Sequence, residues 1–316
     1  MHSLKLVLLG VLGFGLASSA QAVFFYSTGS STYNTGVPGA VDGLNADDAW
    51  NLQGQFGNFL GTPISDQYFI TAKHIGGSIG QSITFGAGAN VGSYVTASFT
   101  DSPTTDLRIW KISGTFAQFA ERYTASDEVG KNLIVFGRGT QRGAEYIGPL
   151  GPTDGRGWAW GAADQVKRWG INTVTGTQNS GSLLSASFDP IGGNEAMLSV
   201  GDSGGGVFIQ DGGVWKLAGI NYAVSGAYYS NTGVTGSGVQ AGIFNQNGLY
   251  SSNANSGFGL ALPGPGAFYP TRISQEETWI GSVVPEPGTC GLLLLGGAFL
   301  LGFRRLRGSL PLRGIS

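Results

Sequence analysis

Tyr68-Phe69-Ile70-Thr71-Ala72 is followed directly by Lys73-His74. A short run of apolar, aromatic or β-branched residues that ends at polar residues is typical of a buried strand. Similar runs, separated by Gly, Asn, Ser and Asp, recur at residues 82–85, 94–99, 107–112, 133–136, 206–209 and 215–222. The pattern predicts an all-β protein built as a barrel or a sandwich, and it favours a helix only at residues 115–123.

The composition agrees with many short strands and turns. Only 11% of the 316 residues are charged, and 56 residues are Gly. Aromatic and β-branched residues recur throughout, so the chain can build a packed core and intrinsic disorder is not favoured. The formal net charge of -2 provides no basic surface, and nucleic acid is therefore not an expected partner.

His74 lies at the end of its predicted strand, where a rigid sheet can hold the ring while one edge stays open. The only other histidine is His2, at the extreme N-terminus. A general base that works near neutral pH is most readily an imidazole, so His74 is the candidate base. A purely structural role is the alternative for a lone histidine.

The second motif is Gly201-Asp202-Ser203-Gly204-Gly205. Glycines on both sides allow a sharp backbone turn that exposes a serine hydroxyl and directs amide groups towards an incoming carbonyl oxygen. Ser203 is therefore the candidate nucleophile. An ordinary glycine-rich turn is the alternative interpretation, because this chain contains many glycines.

Asp106 opens the alternating run Leu107-Arg108-Ile109-Trp110. A carboxylate in this place is suited to hold the imidazole tautomer and to stabilise the imidazolium. Asp101 is a nearby competitor, since an aspartate before a strand is commonly a turn residue. The chain order His74, Asp106, Ser203 favours Asp106.

Four motifs in this order resemble the chymotrypsin/trypsin-like serine proteases, over residues 45–280. They are Gly61-Thr62-Pro63-Ile64-Ser65, Thr71-Ala72-Lys73-His74, Asp106-Leu107 and Gly201-Asp202-Ser203-Gly204-Gly205. The resemblance implies two six-stranded antiparallel β-barrels with the active site in the cleft between them. The first barrel, about 45–118, would supply His74 and Asp106, and the second, about 128–280, would supply Ser203. Val135-Phe136-Gly137-Arg138-Gly139 would be an early strand of the second barrel.

The resemblance also implies a mechanism for hydrolysis of peptide bonds in a protein or peptide substrate. His74 would take the proton of Ser203, and the N–H groups of Gly201 and Ser203 would stabilise the oxyanion of the acyl-enzyme pathway. No cofactor or metal ion is expected. Two alternatives stay open: an esterase-like acyl hydrolase, and a catalytically inactive β-barrel protein that binds a partner at the cell surface or in the matrix.

The sequence departs from the family pattern around the substrate pocket. Met197 stands where cleavage after Lys or Arg would need an acidic residue, and Asn221-Tyr222-Ala223 replaces the usual serine-aromatic-glycine wall. These four residues are the candidate specificity pocket, for a small or apolar side chain. Because no Ile-Val-Gly-Gly start is visible near residues 23–48, we expect Asp202 to pair with Arg138 or Arg142 instead of a new N-terminus.

The N-terminus predicts export. Lys5, an apolar run at residues 6–16 and the small residues of Ala20-Gln21-Ala22 are typical of a signal peptide at 1–22, cut by signal peptidase. Residues 23–44 would form an N-terminal extension. The single cysteine, Cys290, lies near the C-terminus, so the exported body contains no disulfide.

The C-terminus combines Val284-Pro285-Glu286-Pro287, an apolar run at 291–303, and the basic residues Arg304, Arg305 and Arg307. This order resembles the PEP-CTERM sorting signal of Gram-negative bacteria, at residues 284–307. It implies a short transmembrane helix that inserts transiently, a cytoplasmic tail at 308–316, and an exosortase that releases the body to the cell surface or matrix. A plain C-terminal membrane anchor is the alternative.

Overall fold

The computed structural model describes residues 23–147, 155–226, 228–230, 238–253 and 257–285. The predicted signal peptide, residues 286–307 of the predicted sorting signal, and the predicted tail lie outside the described residues. No helix in the described parts of the chain has the length and apolar character needed to cross a membrane.

The N-terminal segment at 23–44 packs onto the rest of the protein. Val23, Phe24 and Phe25 are all buried, in the same apolar cluster as strands from the C-terminal half. The elements that precede the main sheets are β1 (Phe24–Phe25), β2 (Ala40–Val41), β3 (Leu44–Asn45) and the short helix α1 (Asp47–Asn51).

Six antiparallel strands then form a closed barrel in the order β4-β5-β6-β9-β8-β7. Phe56, Phe69, Ile83 and Trp110 fill part of its core, and all four are fully buried. Closure leaves the barrel without a free sheet edge. The strands are β4 (Gly54–Phe56), β5 (Phe59–Ser65), β6 (Tyr68–Ala72), β7 (Ser82–Phe85), β8 (Gly92–Asp101) and β9 (Leu107–Ser113).

Residues 115–123, for which the sequence pattern favours a helix, form no helix. The segment is irregular and leads from the barrel towards the second half of the chain. Its backbone N–H groups at Phe116, Ala120 and Tyr123 bond to carbonyls of distant segments instead of to each other. Buried Phe116, Ala120 and Tyr123 explain the helix-like spacing, because tertiary packing overrides a weak local preference.

The second half is built on a seven-stranded antiparallel sheet in the order β13-β10-β17-β18-β24-β15-β14, which forms a half-barrel. Strands β10 and β17 are buried along most of their length, in agreement with their continuous apolar runs. The first strands of this half are β10 (Asn132–Gly137), β11 (Thr140–Ile147), β12 (Gly155–Ala163), β13 (Arg168–Thr173), β14 (Gly176–Gln178), β15 (Leu183–Ser187) and β16 (Ala196–Met197). The remaining strands are β17 (Gly206–Asp211), β18 (Val214–Val224), β19 (Tyr228–Tyr229), β20 (Gly238–Val239), β21 (Ala241–Ile243), β22 (Tyr250–Asn253), β23 (Gly257–Leu260) and β24 (Ala267–Arg272).

Smaller sheets flank the half-barrel. The long β11-β12 hairpin pairs with β21, and β20-β19-β22-β23 form a separate four-stranded sheet. The two-residue strand β16 pairs with β1, which ties the N-terminus to the loop that precedes Ser203. The prediction of an all-β protein is confirmed, and each predicted apolar run lies within an observed strand.

One apolar cluster joins the barrel to the half-barrel. It contains Ile70 and Leu107 from the barrel and Phe136 and Phe208 from the half-barrel, all fully buried. The C-terminal helix α2 (Glu277–Val283) contributes Ile280 to the same cluster. This shared cluster holds the segment after β6 and the segment before β9 close to the loop that precedes β17.

Candidate active site

His74 lies in a single 3-10 turn, Lys73–Ile75, directly after β6. The β6-β9 ladder pairs Ala72 with Leu107, and the Lys73 N–H continues it by donating to the Asp106 carbonyl at 2.9 Å. The backbone ladder therefore sets the separation of residues 74 and 106. The His74 side chain is 42% exposed, so one edge of its ring is open to solvent.

The Asp106 carboxylate contacts His74 twice. Its Oδ1 accepts from the His74 N–H at 3.0 Å, and its Oδ2 lies 2.5 Å from Nδ1. Because a carboxylate oxygen accepts, this contact places the ring proton on Nδ1. The Nε2 atom is then free to accept from the Ser203 hydroxyl, whose Oγ lies 2.7 Å away.

Asp101, the competing carboxylate, is engaged elsewhere. Arg108 donates to both of its oxygens, from Nε at 2.5 Å and from Nη2 at 2.9 Å. The hydrogen bonds from Arg108 hold the pKa of Asp101 below its usual value. The structure thus brings Asp106, and not Asp101, to His74.

The Ser203 loop packs closely because two of its residues lack a Cβ. A Cβ on Gly204 would lie 2.3 Å from the Thr71 hydroxyl of β6, and one on Gly205 would lie 2.0 Å from the Phe136 carbonyl of β10. Gly204 also has a φ of 80°, which favours glycine. The two glycines allow Ser203 to approach the end of β6, which lies two residues before His74.

The N–H groups proposed for the oxyanion have no acceptor among the described residues. Gly201 and Ser203 both line a cavity of about 170 Å³ beside His74, and neither N–H donates to another described group. The intervening Asp202 N–H is engaged with the Ser199 carbonyl at 3.2 Å. Two free donors beside a serine hydroxyl can stabilise negative charge on a carbonyl oxygen.

Asp202 does not pair with the arginines that the sequence suggested. The residue is 2% exposed, and its carboxylate accepts from the Gly139 N–H at 3.1 Å and from the N–H and hydroxyl of Ser199 at 2.8 and 3.0 Å. Burial raises the pKa of Asp202 to about 8, against the opposing effect of these donors and of Arg168.

Arg138 and Arg142 bond instead to backbone carbonyls. Arg138 donates to the Gly57 carbonyl, and Arg142 donates to the Phe25 carbonyl and stacks over Trp158. The correction has a steric reason: Gly137, which precedes Arg138, is the residue against Asp202, because a Cβ there would lie 1.9 Å from Oδ1.

Asn221 fastens the Ser203 loop to the half-barrel, a role that its sequence pattern did not reveal. Its side-chain amide donates to the carbonyls of Phe136 at 2.7 Å and Asp202 at 3.1 Å. Its backbone exchanges hydrogen bonds with Gly204 and Gly205. Only the tertiary structure brings β10, β18 and this loop together.

The cavity beside Ser203 is lined largely by small and apolar side chains. Asn221, Tyr222 and Ala223 line it as expected, and the Tyr222 ring also contacts the edge of His74 at a centroid distance of 5.9 Å. The remaining lining residues are Leu198, Ser199, Val200, Asp202 and Val224. Leu198, Val200 and Val224 could not be identified from the sequence, because their proximity depends on how the loop before Ser203 meets the end of β18.

Met197 does not line the cavity. It pairs with Phe24 in the β1-β16 ladder and is 1% exposed in the apolar cluster beneath the loop. Counting back from Ser203 therefore overshoots the pocket, since the chain has already entered a buried strand. Leu198, the next residue, is the one that reaches the cavity.

The sequence matches no known protein family and no curated protein. Among the described residues, no group of three or more His, Cys, Asp or Glu side chains is arranged to hold a metal ion.

Proposed function

We propose that the protein is a serine peptidase of the chymotrypsin-like type, with His74 as base, Asp106 as its orienting carboxylate and Ser203 as nucleophile. The observation that carries the proposal is the continuous hydrogen-bonded chain Asp106-His74-Ser203, with contacts of 2.5 and 2.7 Å. Such a chain activates a serine hydroxyl that is otherwise a weak nucleophile.

The reaction follows from these contacts. His74 Nε2 accepts the hydroxyl proton as Ser203 Oγ attacks the peptide carbonyl, and the N–H groups of Gly201 and Ser203 stabilise the oxyanion. His74 then donates its proton to the leaving amine, and water releases the acyl group by the reverse sequence. The barrel and the half-barrel each contribute to this machinery, which supports a two-barrel arrangement with the site between the halves.

The cavities support a peptide substrate with an apolar side chain next to the cleaved bond. About 170 Å³ is small compared with pockets for whole ligands, roughly 300–1,000 Å³, and suits a single side chain. Tyr222 also borders a second cavity of about 290 Å³, so the open surface continues along the chain of a longer substrate. An extended surface favours a peptide over a small ester.

Labelling with a fluorophosphonate tests the nucleophile. We expect the purified body to form a covalent adduct on Ser203, and we expect Ser203→Ala and His74→Ala to lose it. A folded wild-type protein without a Ser203 adduct would contradict the peptidase proposal and leave the non-enzymatic binding protein as the interpretation. A library of peptides with varied side chains then distinguishes peptidase from esterase activity and tests the apolar preference.

We also propose that the body is exported and sorted, on the sequence patterns at both termini. Signal peptidase would cut after Ala22, and an exosortase would act near Pro285-Glu286-Pro287. Mass spectrometry of protein recovered from the cell surface or medium tests both cleavages. Intact termini on the recovered protein would contradict the processing scheme.

A further inference from the structure

A buried carboxylate at the start of the C-terminal helix contacts the loop that carries Asp106. Glu276 immediately precedes α2 and is 6% exposed. Its Oε2 accepts from the Ser102 hydroxyl at 2.9 Å, and its Oε1 accepts from the Thr104 hydroxyl at 3.1 Å. No Lys, Arg or His of the described residues forms an ion pair with it. The Glu276 carboxylate therefore makes its hydrogen bonds to this loop.

The loop at 102–105 is a tight turn organised around the Ser102 hydroxyl. Ser102 Oγ donates its proton to Glu276 and accepts the N–H groups of Thr104 at 3.2 Å and Thr105 at 3.0 Å. The Thr105 hydroxyl also donates to Ser102 Oγ at 3.0 Å. A hydroxyl has a single proton, and the Glu276 carboxylate accepts that of Ser102. The Glu276 carboxylate thus fixes the orientation of the Ser102 hydroxyl, whose oxygen accepts from the N–H groups of the turn.

The far end of the turn is fixed by the residue before His74. Lys73 Nζ donates to the carbonyls of Ser102 at 3.1 Å and Thr105 at 2.8 Å. Its backbone N–H donates to the Asp106 carbonyl at 2.9 Å. The turn is therefore held between Glu276 on one side and Lys73 on the other, and it ends at Asp106.

We infer that Glu276 is a positioning residue that keeps the Asp106 carboxylate in register with His74, acting through Ser102 and the turn at 102–105. The inference rests on the proposed function for its kinetic consequence. Without Glu276, the Ser102 and Thr104 hydroxyls lose their buried acceptor and must reorient, which moves the turn that ends at Asp106. A displacement of about 1 Å in a catalytic group costs up to about 100-fold in rate.

The test compares Glu276→Ala with Glu277→Ala. Glu277 is the adjacent residue and the first of α2, but its carboxylate pairs with Arg122 at 2.8 Å and does not contact the turn. With a fluorophosphonate, we expect Glu276→Ala to lower the inactivation rate at saturating reagent by about 10- to 100-fold, with little change in the half-saturating concentration. Glu277→Ala should keep the wild-type rate.

A conservative variant separates positioning from helix docking. Glu276→Gln keeps one oxygen that can accept from the Ser102 hydroxyl, and its N–H₂ group can donate to the Thr104 hydroxyl, which is able to rotate. We therefore expect Gln to recover most of the lost rate. Equal inactivation rates for folded Glu276→Ala and Glu277→Ala would overturn the inference.

Two further measurements separate a failure of the positioning role from a folding defect and from a failure of the proposed function. If Glu276→Ala fails to fold, Ser102→Ala removes the same link from the other end, and a folded Ser102→Ala with the wild-type rate would overturn the inference. The proton resonance of the His74 Nδ1–H reports its bond to Asp106 without any reagent. If the wild-type protein is not labelled at all, the proposed function fails, while a resonance that shifts in Glu276→Ala and not in Glu277→Ala still supports the positioning role.

Discussion

The closed barrel and the half-barrel hold the residues of the candidate active site by different physical means. In the barrel, the β6-β9 ladder continues through the Lys73 N–H to Asp106, so backbone pairing sets the position of His74. In the half-barrel, Ser203 lies on a loop held by the Asn221 amide and the buried Asp202 carboxyl. The candidate base therefore depends on a sheet, whereas the candidate nucleophile depends on a few buried polar groups and on glycines.

Removing one side chain from each region tests whether the two regions form one catalytic unit. We expect His74→Ala and Ser203→Ala each to lower kcat for peptide hydrolysis by about 10⁴- to 10⁶-fold, and the double variant to lose little more. Residues that act as one unit are strongly non-additive. Steady-state kinetics on a cleaved peptide gives the three values. A double variant whose loss equals the product of the single losses would show independent roles.

The close approach of the two regions is tested by adding a methyl group at Gly205. A Cβ there would lie 2.0 Å from the Phe136 carbonyl, whereas one at Gly86 meets nothing within 4 Å. We expect Gly205→Ala to lower the free energy of unfolding by about 1–3 kcal/mol and to slow Ser203 labelling. Gly86→Ala should stay within about 0.5 kcal/mol. Urea unfolding measures both, and equal stability of the two variants would mean that the loop adjusts freely.

The buried carboxyl of the half-barrel predicts a pH dependence of stability. Burial raises the pKa of Asp202 to about 8, against about 3.9 in an unfolded chain. Between these values the native state holds a proton that the unfolded state has lost. The free energy of unfolding should therefore fall as pH rises through this window, by up to about 1.4 kcal/mol per pH unit.

Asp202→Asn should remove the contribution of this carboxyl, about half of the observed slope, in urea unfolding between about pH 5 and about pH 8. Glu195, in the same half, also has its pKa raised to about 8 by burial, so Glu195→Gln should reduce the slope in the same direction. A wild-type stability that does not fall with pH would show that the donors from Ser199 and Gly139 keep Asp202 ionised.

The smallest effect is expected at Asp101, in the barrel. Its ion pair with Arg108 is partly exposed, so Asp101→Asn should cost less than about 1 kcal/mol. The pKa of Asp101 is lowered by Arg108, so its contribution is present above about pH 4 and is lost as pH falls. Ser203 labelling should stay within about twofold of the wild-type rate. A large loss of labelling would reopen the choice between Asp101 and Asp106.

The strands were predictable because their signals are local. Apolar runs such as 68–72 and 133–136 lie within observed strands, since strands buried on both faces need little but apolar side chains. The helix predicted at 115–123 does not form, because the signals that decide this segment are not local. Three of its backbone N–H groups donate to carbonyls of distant segments. The sequence could not show that β12 pairs with β11 and β21 in a sheet outside the main one.

The residues of the candidate site were predictable where a sequence motif contains them. His74, Asp106 and Ser203 were chosen from sequence, and the structure brings them within hydrogen-bond distance of one another. Their catalytic role stays a prediction. The pocket was predicted less well: Asn221, Tyr222 and Ala223 line it, but Met197 does not.

Residue types along the chain were enough to predict the all-β class, the positions of seven strands and the three residues that meet beside the cavity. Residue type carries that information, because an imidazole, a carboxylate and a glycine-flanked hydroxyl have recognisable chemistry. The partners of Asp202, the full lining of the pocket and the contact of Glu276 with the turn before Asp106 became visible only in the folded protein. Such contacts join residues far apart in the chain, and their geometry is set by packing between sheets.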